Sequence, residues 1–139
     1  FHLKKSSTLS WIIEYPKAGF MDSFCFDLLK VAAKAIDDKK GNNLVVLDVR
    51  TISEFTDYFV FVEGSVNVHV KALANTIVEE LKKQKVSPLH VEGITDGNWV
   101  VIDYGFIVVH VFVSEIRGKY RLEELWKDGF IVTSKLLAS

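Results

Sequence analysis

At 139 residues, with 49 % hydrophobic and 25 % charged side chains, the chain can bury the core of one domain and is too apolar to be a disordered segment. A net charge of −1 offers phosphates no basic footprint, so direct nucleic-acid readout is not expected. The single cysteine, Cys25, excludes an internal disulfide and fits a reducing cytoplasm; no Cys/His spacing suits zinc, and no apolar run approaches the length of a membrane span.

Residues 1–20 differ in character from the remainder of the chain. They hold Ser6-Ser7-Thr8, Pro16 and Gly19 around a short apolar Trp11-Ile12-Ile13, and the only methionine is Met21. They read as a leader, either a non-native addition or sequence upstream of a start at Met21, with 21–139 as one domain. They lack the apolar core of a signal peptide and the arginines of a transit peptide. Phe24, Leu28, Ala32, Ala35 and Ile36 recur at helical spacing, predicting a helix over Ser23–Lys40 capped by Asp22 or Ser23 and stopped at Gly41.

Leu44–Val49 is a continuous apolar run, as in a strand buried on both faces. Asp57–Val62 is a second strand, rich in aromatic and β-branched residues and ended by Gly64-Ser65. Val70, Leu73, Ala74, Ile77 and Leu81 mark one face of a helix over Val68–Lys83, with Asn67 as its cap. Glu79 and Lys83 have i,i+4 spacing, and Lys82, Lys83 and Lys85 suit the negative end of the helix dipole better than a ligand site. Pro88–Glu92 reads as a short third strand, and Asp96-Gly97 as a turn.

Trp99–Phe112 consists of two apolar runs around Tyr104-Gly105, predicting an antiparallel hairpin. Pairing Asp103 with Phe106, and therefore Trp99 with His110, sorts the side chains by face. Val100, Ile102, Ile107, Val109 and Val111 make an aliphatic core face. Trp99, Val101, Asp103, Phe106, Val108 and His110 make a mixed face with one acid, one indole and one imidazole. Such a face suits a protein–protein contact; the alternative is a sheet covered by helices on both sides. Ser114–Gly118 then reads as a capped turn and Tyr120–Trp126 as a short helix, and the tail after Asp128 has no clear period. The order α-β-β-α-β-β-β-α implies an α/β (α+β) domain, a mixed five-stranded sheet flanked by helices.

Chemistry is thin. His69, His90 and His110 are the histidines to consider, but His110 and Asp103 stand too far apart on their face for a direct hydrogen bond, so no catalytic pair is assigned. Gly64-Ser65 between a strand and a helix invites comparison with nucleotidyltransferases. Those enzymes need two carboxylates there for magnesium, and Val66-Asn67-Val68-His69 supplies none. Cys25 reads as a buried inert thiol. With no P-loop or dinucleotide glycine motif, the expectation is no catalytic residue, no metal and no cofactor.

Several segments together carry a resemblance. Val45–Arg50, Thr56–Val60, His69–Ala74, Pro88–Gly93, Trp99–Gly105, Val108–Phe112 and Tyr120–Trp126, in this order and spacing, resemble the ribosomal silencing factor family (RsfS, also called Iojap-like). The resemblance spans about Phe24 to Trp126. It implies a nucleotidyltransferase-like topology without the metal carboxylates and no catalytic activity. It also implies a translational repressor that binds large-subunit ribosomal protein number fourteen on the intersubunit face and blocks subunit joining, often dimeric when unbound. Phe106 stands where family members often carry an acid, and Val66 where they often carry Ser; both make the surface more apolar. The expected partner-binding residues are Trp99 as anchor, Asp103 facing a basic residue, Tyr104 at the turn tip and His110, with Asp57 and Tyr58 as second candidates. The alternatives are a nucleotidyltransferase-like enzyme, marked by magnesium-dependent nucleotide binding, and a homodimeric interaction module using the mixed face for itself.

Overall fold

Side chains alternate along each strand, so one sheet sorts the sequence onto two faces. The computed structural model describes residues 18–121, 124 and 128–137. Strands β1 (Asn42–Asp48), β2 (Tyr58–Gly64), β3 (His90–Glu92), β4 (Trp99–Asp103), β5 (Ile107–Val113) and β6 (Phe130–Ile131) form a single sheet in the order β3-β4-β5-β2-β1-β6. The central pair, β2 with β5, is parallel and every other pairing is antiparallel. The α/β class and mixed sheet match the sequence reading, with six strands in place of five. The added strand comes from the tail. Two residues pair with β1, and the Val46 carbonyl and N–H are taken by the Val132 N–H and the Thr133 hydroxyl, each at 2.9 Å.

Helices α1 (Ala18–Asp38), α2 (Asn67–Lys83) and α4 (Thr133–Leu137) lie on one face. Beneath them Val60, Val62, Val100, Ile102, Ile107, Val109 and Val111 meet Leu28, Leu29, Ala32 and Ile36 of α1 and Val70, Leu73, Ala74, Ile77 and Leu81 of α2. All five predicted inward residues of α2 are at most 1 % exposed. Phe24 departs from its predicted core position and is 40 % exposed, stacked beside Phe106. The other face packs against α3 (Ser114–Tyr120) around Leu47, Val49, Phe61, Phe112 and Ile116.

Element ends differ from the prediction in explicable ways. Residues 1–17 lie outside the described residues. The helix α1 starts at Ala18, five residues before the predicted Ser23, so Asp22 and Ser23 lie within the helix and are not its caps. Lys40, not Gly41, takes the left-handed conformation (φ 60°) that ends α1, and the Gly41 N–H closes on the Ile36 carbonyl at 2.8 Å. Asn67 is the first residue of α2 and its side chain donates to the Asp96 carbonyl; the cap position is Val66. Lys83 pairs with Glu80 at 2.9 Å rather than with Glu79. The predicted turn at Ser114–Gly118 is helix α3, which Arg117 pins down. Its guanidinium donates to the Asn43 carbonyl and to Glu63 and lies over the Phe112 ring. The helix predicted over Tyr120–Trp126 falls largely outside the described residues.

Candidate functional site

The β4–β5 hairpin turns at Gly105-Phe106, not Tyr104-Gly105. Tyr104 N–H donates to the Ile107 carbonyl at 2.8 Å, and Gly105 has φ 90° as the first of the two turn residues. A hairpin turn with only its first central residue at positive φ suits Gly there. The register is therefore Trp99↔Phe112, Val101↔His110 and Asp103↔Val108, two residues from the predicted one. A slip of two keeps every strand side chain on its expected face.

Two predicted contact residues change place as a result. Tyr104 shares the face of Val100 and Ile102 and is 5 % exposed in the helix-covered core, so it is not a surface tip. Burial pushes its phenol up to about 12, and its hydroxyl makes no hydrogen bond among the described residues. Phe106 leaves the mixed face and packs toward the α1 side. Tyr58 is likewise core, 5 % exposed, its ring beside the Arg50 guanidinium. Asp57 is half-buried, and its backbone bridges the Phe106 carbonyl and the Val49 N–H. The helix-covered face thus holds Tyr58 and Tyr104, away from Trp99.

Trp99, Asp103 and His110 do share the α3 face, which is ordered in rows across the sheet. One row is Asp103–Val108–Phe59–Leu47, the next Val101–His110–Phe61–Val45, and the third Trp99–Phe112–Glu63. Phe61, Phe112 and Leu47 are buried, whereas Trp99, Val101, Asp103, Val108, His110 and Phe59 are half-buried. His110 is the hub. Its ring centroid lies 5.3 Å from Phe61, 5.7 Å from Phe59, 6.1 Å from Trp99 and 6.3 Å from Phe112. The Trp99 indole N–H donates to His110 Nδ1 at 3.1 Å.

Burial in this aromatic surround lowers the His110 imidazole to about 4, against the opposing pull of the Asp103 carboxylate. His110 is therefore neutral near pH 7. Asp103 accepts the Gly105 N–H at 2.8 Å, which orders the turn and leaves the carboxylate able to meet a further donor. Phe59 belongs to this cluster and was not predicted. Its place depends on the parallel neighbour β5, which no local pattern reveals.

Of the other histidines, His69 has a structural place. His69 accepts the Ser65 N–H at 2.9 Å and lies 2.7 Å from the Lys39 carbonyl, joining the start of α2 to the end of α1. His90 is exposed on β3, opposite Asp103. Cys25 is buried. Among the described residues no group of three or more His, Cys, Asp or Glu is placed to hold a metal ion, and no helix is long and apolar enough to cross a membrane.

The family model described as ribosomal silencing factor during starvation matches residues 25–137. The Bacillus subtilis ribosomal silencing factor RsfS is 38 % identical over 102 residues, 73 % of this chain and 86 % of that protein. The same-named protein of Halalkalibacterium halodurans is 37 % identical over 103 residues, covering 74 % and 88 %. A crystal structure of a Chromobacterium violaceum protein superposes with a TM-score of 0.71 at 35 % identity, covering 73 % of this chain and 84 % of that one. The match reaches every element from α1 to α4, the aromatic α3 face included, and the chain belongs to the ribosomal silencing factor family.

Proposed function

We propose that this protein represses translation by occupying the large ribosomal subunit. It docks through its α3 face on ribosomal protein number fourteen, at the surface where the small subunit joins, and its body keeps the two subunits apart. The resemblance supplies the partner. The observation that carries the reading is the half-buried cluster of Trp99, His110 and Phe59 with Asp103 at its side. An aromatic anchor beside an acid suits a surface that offers an apolar recess and a basic side chain. Occlusion needs affinity and bulk rather than catalysis, so the protein acts without a cofactor, in the compartment of its ribosomes, the cytoplasm.

Sucrose-gradient fractionation tests this. The protein travels with large subunits and is absent from joined ribosomes. Trp99→Ala, folded by circular dichroism, loses on the order of 2 kcal/mol of binding. Wild-type protein that stays at the top of the gradient, or a folded Trp99→Ala that still co-sediments, overturns the proposal. Light scattering with and without large subunits shows whether a second copy competes for the same face.

A further inference from the structure

The contact between Trp99 and His110 does more than fill space. An indole N–H can only donate, so His110 Nδ1 must present its lone pair at the 3.1 Å contact, and the neutral imidazole then carries its proton on Nε2. The ring itself cannot swing away easily. It sits on β5 between Val101 of β4 and Phe61 of β2, with Phe59 and Phe112 also within 6.3 Å. Three adjacent strands thus fix the acceptor, and the acceptor fixes the indole.

We infer that His110 is a positioning residue: its Nδ1 lone pair holds the Trp99 indole in the orientation in which it meets the partner. This rests on the reading that Trp99 is a docking anchor. A pre-oriented indole loses less freedom on binding than a mobile one. Because its N–H is already satisfied, the partner needs no acceptor for it. The indole is recognised through its ring, by an apolar side chain or a cation lying against it.

The test uses the full chain and two variants. His110→Phe keeps a ring and removes the acceptor; His110→Asn places an amide oxygen near the position of Nδ1 and removes the ring. The indole N–H resonance of Trp99 is assigned by its loss in Trp99→Phe. It is downfield and slow to exchange in wild type and His110→Asn, and moves upfield with exchange at least about tenfold faster in His110→Phe. Binding to large subunits weakens about tenfold in His110→Phe and recovers to within about threefold of wild type in His110→Asn.

A folded His110→Phe with wild-type resonance and wild-type binding overturns the inference. So does an equal loss in both variants, which would assign the effect to ring packing. If wild type binds no ribosomal subunit, the docking proposal fails, and the indole resonance still decides whether His110 holds Trp99. If neither variant folds, the imidazole nitrogen shifts of wild type decide: a proton on Nδ1 refutes the arrangement.

Discussion

Acidification should destabilise this fold through His110 in a defined window. The imidazole titrates near 4 in the folded protein because it is buried among rings, against 6.5 in an unfolded chain. Lowering the pH therefore protonates the unfolded chain first. The stability this group contributes is nearly complete at pH 7, falls as the pH drops through 6.5 toward 4, and levels off below 4. Linkage puts the loss at about 2 kcal/mol between pH 7 and pH 5, rising to about 3 kcal/mol near pH 4. That is a sizeable part of the roughly 5–15 kcal/mol that holds a domain together. Carboxylates titrate in the same range, so the measurement is a difference. Urea unfolding of wild type and His110→Asn at pH 7 and pH 5 gives two pH-dependent losses. The wild-type loss should exceed the variant's by about 2 kcal/mol, since an amide does not titrate. Equal losses would mean that the folded and unfolded imidazoles take up protons alike, and that burial among the rings does not hold His110 neutral at pH 5.

Tyr104→Phe removes a buried hydroxyl that has no partner among the described residues, so thermal unfolding should show a neutral change or a gain of about 1 kcal/mol; a clear loss would reveal a hidden hydrogen bond. Gly93→Ala drives a Cβ into the Trp99 carbonyl oxygen at φ 85° and should cost more than about 1 kcal/mol in urea unfolding. An unchanged midpoint would refute the loop geometry. Asp103→Lys should weaken large-subunit binding more than Asp103→Ala, because it adds repulsion to the loss of attraction; co-sedimentation that falls equally in both would exclude a charge pairing.

The helix-covered core was legible in sequence because its periodicities are local. Every predicted inward residue of α2, and the aliphatic hairpin face from Val100 to Val111, lies where alternation and helical spacing put it. The register was not legible, since a shift of two preserves the faces. Turn chemistry held a usable signal: only Gly among Tyr104, Gly105 and Phe106 adopts positive φ at no steric cost, which favours a turn with Gly105 first and sends Tyr104 inward. The site was half legible. Trp99, Asp103 and His110 could be placed on one face, and the expected register set Trp99 directly opposite His110, whereas the structure makes their hydrogen bond across the diagonal, with Phe112 opposite Trp99. Phe59 needs the β2–β5 adjacency, made between strands distant in sequence. β6 left no trace, because two residues cannot display a period.

The closing of β1 by the tail has a consequence for synthesis. The hydrogen bond between Val46 and Thr133 joins residues 87 apart, and until Phe130–Thr133 leave the exit tunnel, β1 lacks the β6 strand, its outer neighbour among the described residues. A nascent chain therefore waits with a bare hydrogen-bonding edge, a hazard for aggregation. Cutting the protein before Phe130 would make that waiting state permanent.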